Sequence, residues 1–197
     1  MKIIILDTST NFLYVSFYDN VIDKVLFQKT MITHNNHSEN LIPSIEEGLK
    51  ENNLELKDFD CVVTGNGPGS YTGLRVGCVV SKMMAFTLGI KLKALSSLLF
   101  IGSGYLNNDG IYAISSVAKK NYKYLRVVRV NNGVIDTLVS DTFLDEDKYN
   151  STINQYENIQ IINEDNYKID SKLIFNLSQD VNDIHNFVPN YLREANS

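Results

Sequence analysis

The chain has 197 residues, a formal net charge of −5, 44% hydrophobic residues and two cysteines. That length fits one domain or two small lobes, with enough apolar residues for a core that needs no staples. The acidic balance excludes a globally basic nucleic-acid surface, and no apolar run reaches the roughly 18 to 20 residues that cross a bilayer.

Lys2 to Thr8 is dense in Ile and Leu and reads as a buried strand. Tyr14 to Tyr18 alternates, Asp19-Asn20 marks a turn, and Lys24 to Thr30 is a third strand, so an antiparallel meander opens the chain. His37 or Ser38 caps a helix with Leu41, Ile42, Ile45 and Leu49 on one face, Pro43 near the end of its first turn and Asn52-Asn53 at its end. Asp60 to Thr64 is a short strand. After the turn from Gly65 to Ser70, a helix runs from about Tyr71 to Leu88 and stops at Gly89.

Lys91 to Leu95 is a strand, and Ser96 or Ser97 caps a helix to about Leu106. Ile111 to Ser115, Tyr124 to Val130 and Val134 to Val139 read as strands, the last two joined by the hairpin pair Asn132-Gly133. Asp141 to Asn158 is polar, Ile159 to Ile162 a strand, and Gln179 to Phe187 a short helix. Three antiparallel strands followed by crossover units is the order of an α/β lobe of the ribonuclease H-like or actin-like kind. The two cysteines, Cys61 and Cys78, lie in apolar stretches and read as buried thiols of a cytoplasmic chain. No signal peptide precedes the first strand.

The segment Gly65-Asn66-Gly67-Pro68-Gly69-Ser70-Tyr71-Thr72-Gly73-Leu74-Arg75-Val76-Gly77 carries the most information. It suits a tight strand-to-helix turn, with Ser70 or Thr72 as cap. A helix start beside glycines also suits phosphate, although no Gly-Lys-Ser/Thr follows. The helix after it is apolar around most of its circumference, with Arg75 and Lys82 as its charged stripe. Such a helix must be covered on nearly every side, by its own core or by a partner.

This segment resembles the signature of the TsaB family. The resemblance extends to Leu6-Asp7-Thr8-Ser9-Thr10, to His37-Ser38-Glu39 with Leu41-Ile42-Pro43, and to Pro189-Asn190-Tyr191-Leu192-Arg193. It implies the actin-like (ribonuclease H-like) ATPase fold. Residues 1–105 would form a lobe carrying the partner-binding helices, and residues 106–197 a smaller, diverged lobe whose last residues return to the first. It further implies a non-catalytic subunit without cofactor or metal. That subunit pairs with the paralogue TsaD, and the pair recruits the ATPase TsaE. TsaD transfers threonylcarbamoyl to the tRNA adenosine following the anticodon, so this chain would meet tRNA indirectly. The two helices would form a four-helix bundle with those of TsaD, and the isolated chain would self-associate through the same surface. The expected interface is Leu41, Ile45, Leu49, Arg75, Val76, Val79, Val80 and Met83.

Other residues keep an alternative open, an enzyme acting alone as a weak ATPase or a threonylcarbamoyl transferase. Asp7, Gly67 and Gly69 are its nucleotide candidates, but Ser9 stands where actin-like ATPases need glycine, and Ile111 to Ala118 lacks a carboxylate. His34 and His37 have metal-compatible spacing, but no further ligands accompany them. Lys119, Lys120, Lys123, Arg126 and Arg129, interleaved with Tyr122 and Tyr124, suit either RNA or a solvated hairpin edge. Here Val117 and Lys119 stand where the family has an Asp-Ala-Arg stretch.

Overall fold

Strand β1, Lys2–Asp7, is buried on both faces, as its unbroken apolar run requires of a central strand. The computed structural model describes residues 1–32 and 37–192. β2 (Phe12–Asp19) and β3 (Lys24–Ile32) continue as the antiparallel meander. Helix α1 (His37–Asn52) then crosses to β4 (Cys61–Gly65), and α2 (Tyr71–Leu88) to β5 (Lys91–Leu95), both strands joining in parallel. With the short β10 (Gln179–Asp180) the sheet runs β10-β5-β4-β1-β2-β3. Pro43 falls in the second turn of α1, because the helix already begins at His37.

One face of this sheet holds Ile4, Leu6, Val15, Phe17, Val62 and Leu92, packed with Leu41 and Ile45 of α1 and Ala85 of α2. On the other face, Tyr14 Oη and Ser16 Oγ meet Ser171 Oγ at 2.9 and 3.0 Å. Ser171 opens helix α5 (Ser171–Leu177), and the chain then forms β10 and a strap to Asn190. Gln179 to Phe187 is therefore strand and strap, not the expected helix. Val181 N donates to Leu92 O at 2.9 Å, so the open edge of β5 offers backbone partners that a free helix would forgo.

The second unit repeats the plan. Helix α3 (Ser97–Gly102) precedes the meander β6 (Gly110–Lys119), β7 (Tyr122–Asn131) and β8 (Val134–Asp145). Helix α4 (Glu146–Ile153) returns to β9 (Gln160–Ile162), parallel to β6, in the order β8-β7-β6-β9. Asn132 and Gly133 have φ of 50° and 76°, the left-handed turn that the hairpin pair predicts. Tyr149 and Ile153 of α4 cover Ala113, Leu125 and Val127.

The chain divides at Ser97/Leu98 rather than after residue 105, and Ser171–Asn190 belongs to the first unit. Gly102 explains the earlier boundary: a Cβ there would lie 2.5 Å from Ile114, so α3 is seated on β6. Among the described residues, no helix is long and apolar enough to cross a membrane.

Lys82 pins the strap. Its Nζ donates to His185 O at 2.8 Å and Phe187 O at 2.9 Å, and so it does not share an exposed stripe with Arg75. Lys82→Met keeps the apolar stem and removes both donors. The expected loss is about 1–3 kcal/mol in urea unfolding, with faster amide exchange at Asn190, whose N–H bonds Asn66 O.

Candidate functional site: the glycine-rich turn and the outer face of the second helix

The turn between β4 and α2 is closed by the chain's own groups. Asn66 N donates to Leu95 O at 2.9 Å, Gly67 N to Ser97 Oγ at 3.0 Å, and Ser70 N to Ser9 O at 2.6 Å. Ser70 Oγ caps α2 by accepting from Gly73 N at 3.3 Å, and Thr8 Oγ1 donates to Gly73 O at 2.7 Å. A Cβ on Gly69 would stand 2.2 Å from Ser9 O, and one on Gly73 2.0 Å from Thr8 O. Gly67, at φ +103°, faces Asn190 O, 2.7 Å from where its Cβ would be. The glycines thus admit the end of β1 and the terminal strap, and the amides of Gly67 and Ser70 that would cradle a phosphate are committed inside the chain.

Asp7 braces this junction. Its Oδ1 accepts from Ser9 N and Ser9 Oγ, both at 2.6 Å. Oδ2 is buried with no hydrogen bond of ordinary geometry, although the Ser97 hydroxyl lies near enough to act on the carboxyl electrostatically. Oδ2 fills the space a Cβ on Gly65 would need, 1.7 Å away. Burial raises the Asp7 pKa, against the Ser9 bonds that lower it. His37 is buried, because it opens α1 beside this junction. Its pKa is lowered by burial, against the Asp7 charge and a Thr10 backbone bond that raise it. His34 lies outside the described residues, and among those described no group of His, Cys, Asp and Glu could hold a metal.

Helix α2 is inverted relative to an ordinary surface helix. Its buried residues are Gly73, Leu74, Gly77, Cys78, Ser81 and Ala85, mostly small, so its backbone lies close on the sheet. Large apolar side chains point away: Val79 is 54% exposed, Met83 62% and Phe86 65%. Ile42 of α1 is also exposed, while Arg75 is exposed with its guanidinium 4.2 Å from the Tyr71 ring centroid.

The expected interface therefore splits. Val79, Met83 and Arg75 are outward. Leu41 and Ile45 are core residues of the first unit, and Leu49, Val76 and Val80 are half-buried against that core. The stripe on α1 is apolar because it meets Phe17 and its neighbours, and cannot also face a partner. Phe86 and Ile42 complete the outward apolar set, and neither was among the expected interface residues. Phe86 lies three residues after Met83 and seven after Val79, a spacing the sequence does display.

Three cations of the basic hairpin have partners within the chain, while Lys120 and Arg129 are exposed. Lys119 Nζ lies 4.8 Å from the Tyr122 ring centroid, Lys123 Nζ 4.2 Å from that of Tyr149, and Arg126 Nε bonds Asp141 Oδ1 at 2.7 Å. Both cysteines are buried and free, and burial pushes the Cys61 thiol up to about 11, which leaves it unreactive near neutrality.

The buried acid makes stability depend on pH in a defined sense. Since the folded pKa of Asp7 lies above the unfolded 3.8, the unfolded chain ionises first as pH rises through 3.8. Stability then falls with rising pH until the folded pKa is passed. Asp7→Asn keeps an oxygen for the Ser9 donors and removes the charge. Its melting temperature should exceed the parent's by a few degrees at pH 7, with the gap closing toward pH 4 in thermal scans.

The profile of the TsaD family, described as tRNA N6-adenosine threonylcarbamoyltransferase, matches residues 25–184. The tRNA threonylcarbamoyladenosine biosynthesis protein TsaB of Bacillus subtilis (strain 168) is 28% identical over 141 residues, covering 72% of this chain and 61% of that protein. Its namesake in Escherichia coli (strain K12) is 24% identical over 110 residues, covering 56% and 46%. This chain thus spans about half to three-fifths of the length of the curated relatives it matches. Among solved structures, YeaZ from Pseudomonas aeruginosa superposes with a TM-score of 0.66 at 23% identity, covering 73% of this chain and 67% of that one. A protein described as similar to peptidase YeaZ from Pseudomonas aeruginosa gives 0.79 at 18% identity, covering 98% and 99%. These likenesses establish the fold, the actin-like (ribonuclease H-like) ATPase fold that the element order predicts. The chain belongs to the family of that profile, and within it is a TsaB/YeaZ protein.

Proposed function

We propose that this chain is a non-catalytic subunit of the assembly that makes threonylcarbamoyladenosine in tRNA, and that it docks a TsaD-like paralogue through the outer face of α2. The resulting pair recruits a TsaE-like ATPase, and tRNA is met through the complex. The observation that carries this reading is the inversion of α2, with small residues against its own sheet and Val79, Met83 and Phe86 outward. Contiguous large apolar side chains on a surface helix mark an association face. Each contributes roughly 1.5–3 kcal/mol when fully buried. The biosynthetic role is supported by the name its curated relatives share.

The reading against an enzyme acting alone is supported by the junction at Asp7. A carboxyl buried, bonded by Ser9 and pressed on Gly65 braces a turn rather than handling metal and phosphate. Without the partner, the same apolar face is the place where two copies of the chain would meet.

Co-expression with the TsaD-like protein of the same cell, followed by gel filtration, tests the docking. The two should co-elute at micromolar concentration. Val79→Glu with Met83→Glu should weaken the pair by about a hundredfold or more. The chain's own melting temperature should stay within about 2 °C, because both side chains are exposed. Leu41→Ala, by contrast, should cost the chain itself about 2–5 kcal/mol. Separate elution of two folded proteins would overturn the docking. A complex whose tRNA-modifying activity collapses with Asp7→Asn, while assembly persists, would restore the enzyme reading.

A further inference from the structure

In the second unit, β9 pairs with β6 only as far as Ile162 opposite Ile114. Beyond that register the chain turns away through Asn163, Glu164 and Asp165. The turn is fixed by Asn163 N donating to Asn166 Oδ1 and Asp165 N donating to Asn163 Oδ1, both at 2.8 Å. The end of β6 is left beside a cleft of about 190 Å³, lined by Ser116, Val117 and Lys123 of the β6–β7 hairpin and by Glu164 and Asp165 of the turn after β9.

The charged side chains of this cleft do not pair with one another. Lys123 is half-buried with its ammonium over the Tyr149 ring, and Glu164 is half-buried with only a long bond, 3.4 Å, from Val117 N. Opposite charges thus border one small space, and among the described residues no ion pair joins them. Ser116, 3% exposed, has a hydroxyl with no partner among the described residues. Half-buried charges without a counter-charge are costly, and a ligand carrying both signs relieves both at once. The two carboxylates outnumber the one ammonium, so a simple anion is disfavoured. An ammonium group, with three donors, suits the carboxylate side. Burial, and the neighbouring Asp165 charge, raise the Glu164 pKa as expected of a carboxylate short of partners.

We propose that this cleft binds a small zwitterion of α-amino-acid size, with its ammonium held by Glu164 and Asp165 and its carboxylate by Lys123. The site belongs to the second unit alone and does not depend on the docking role of α2. It also accounts for a second lobe that keeps a lysine and a carboxylate at one cleft without joining them, whereas Arg126 and Asp141 are joined.

The full chain, labelled with nitrogen-15, would be titrated at pH 7 with a panel of free L-amino acids, and separately with ethylamine and with acetate. The expected result is saturable movement of the Val117, Lys123, Glu164 and Asp165 amides with at least one amino acid, and no saturation with acetate or ethylamine. Lys123→Gln and Glu164→Gln should each weaken that binding by about tenfold or more, while the amides of the first unit's sheet, which report folding, stay in place. Saturation by ethylamine alone would overturn the assignment in favour of a cation subsite. No movement at tens of millimolar, or unchanged binding in both variants, would remove the site altogether.

Discussion

The end of β1 and the start of α2 occupy the same few ångströms of space, and most of the first unit follows from how that crowding is resolved. Thr8 O and Ser9 O lie where the Cβ atoms of Gly73 and Gly69 would be, and Asp7 Oδ2 lies where that of Gly65 would be. Removing side chains from one partner lets the other supply hydrogen bonds instead. Ser9 O takes Ser70 N, and Thr8 Oγ1 reaches Gly73 O. The terminal strap uses the same device at Gly67, where Asn190 closes on the turn. A glycine-rich loop that could have faced a ligand is filled by the protein's own backbone. A buried polar group is tolerated when it is bonded, and here the bonding partners are internal.

That closeness has a second consequence. With Gly77, Ser81 and Ala85 against the sheet, α2 lies close on it, while Val76, Val80 and Met84 are half-buried against the core. Val79, Met83 and Phe86 are then free to project outward. The helix is held from behind by the capped turn and from the side by Lys82 and the strap, so its outer face is presented on a fixed backbone. Ordering costs are already met within the chain, which favours association through that face over an equal area on a mobile segment.

Much of this was legible in the residues. The meander, the crossover helices, the Gly89 stop of α2 and the Asn132-Gly133 turn each carry a strong local signal, and each is present. Helix α4 escaped notice because only Tyr149 and Ile153 of its eight residues are buried, too few to register as a period. β10, two residues long, exists only because β5 offers an edge. The site was half legible. An apolar stripe such as Leu41, Ile45 and Leu49 looks alike whether it meets a partner or its own sheet. Small residues, which mark the buried face of α2, carry no hydrophobic signal, so the inversion emerges only when the helix is seated.

The two units share one plan, a meander followed by a parallel strand through a crossover helix, and end their first strands in opposite ways. After β1 the chain meets the glycine-rich turn and is sealed, with the Asp7 carboxyl enclosed. Among the described residues, nothing equivalent closes the end of β6. β9 departs after Ile162, Val117 is 64% exposed, and the Glu164 side chain reaches the Val117 amide in place of a backbone neighbour. An enclosed carboxyl loses access to solvent and to ligands, and its charge becomes a cost of folding. A carboxylate at an open strand end keeps that access, and it lines one cleft with Lys123 without bonding to it. The same topology therefore yields a unit whose working surface is the outside of a helix, and a unit whose polar groups are left available at the end of a sheet.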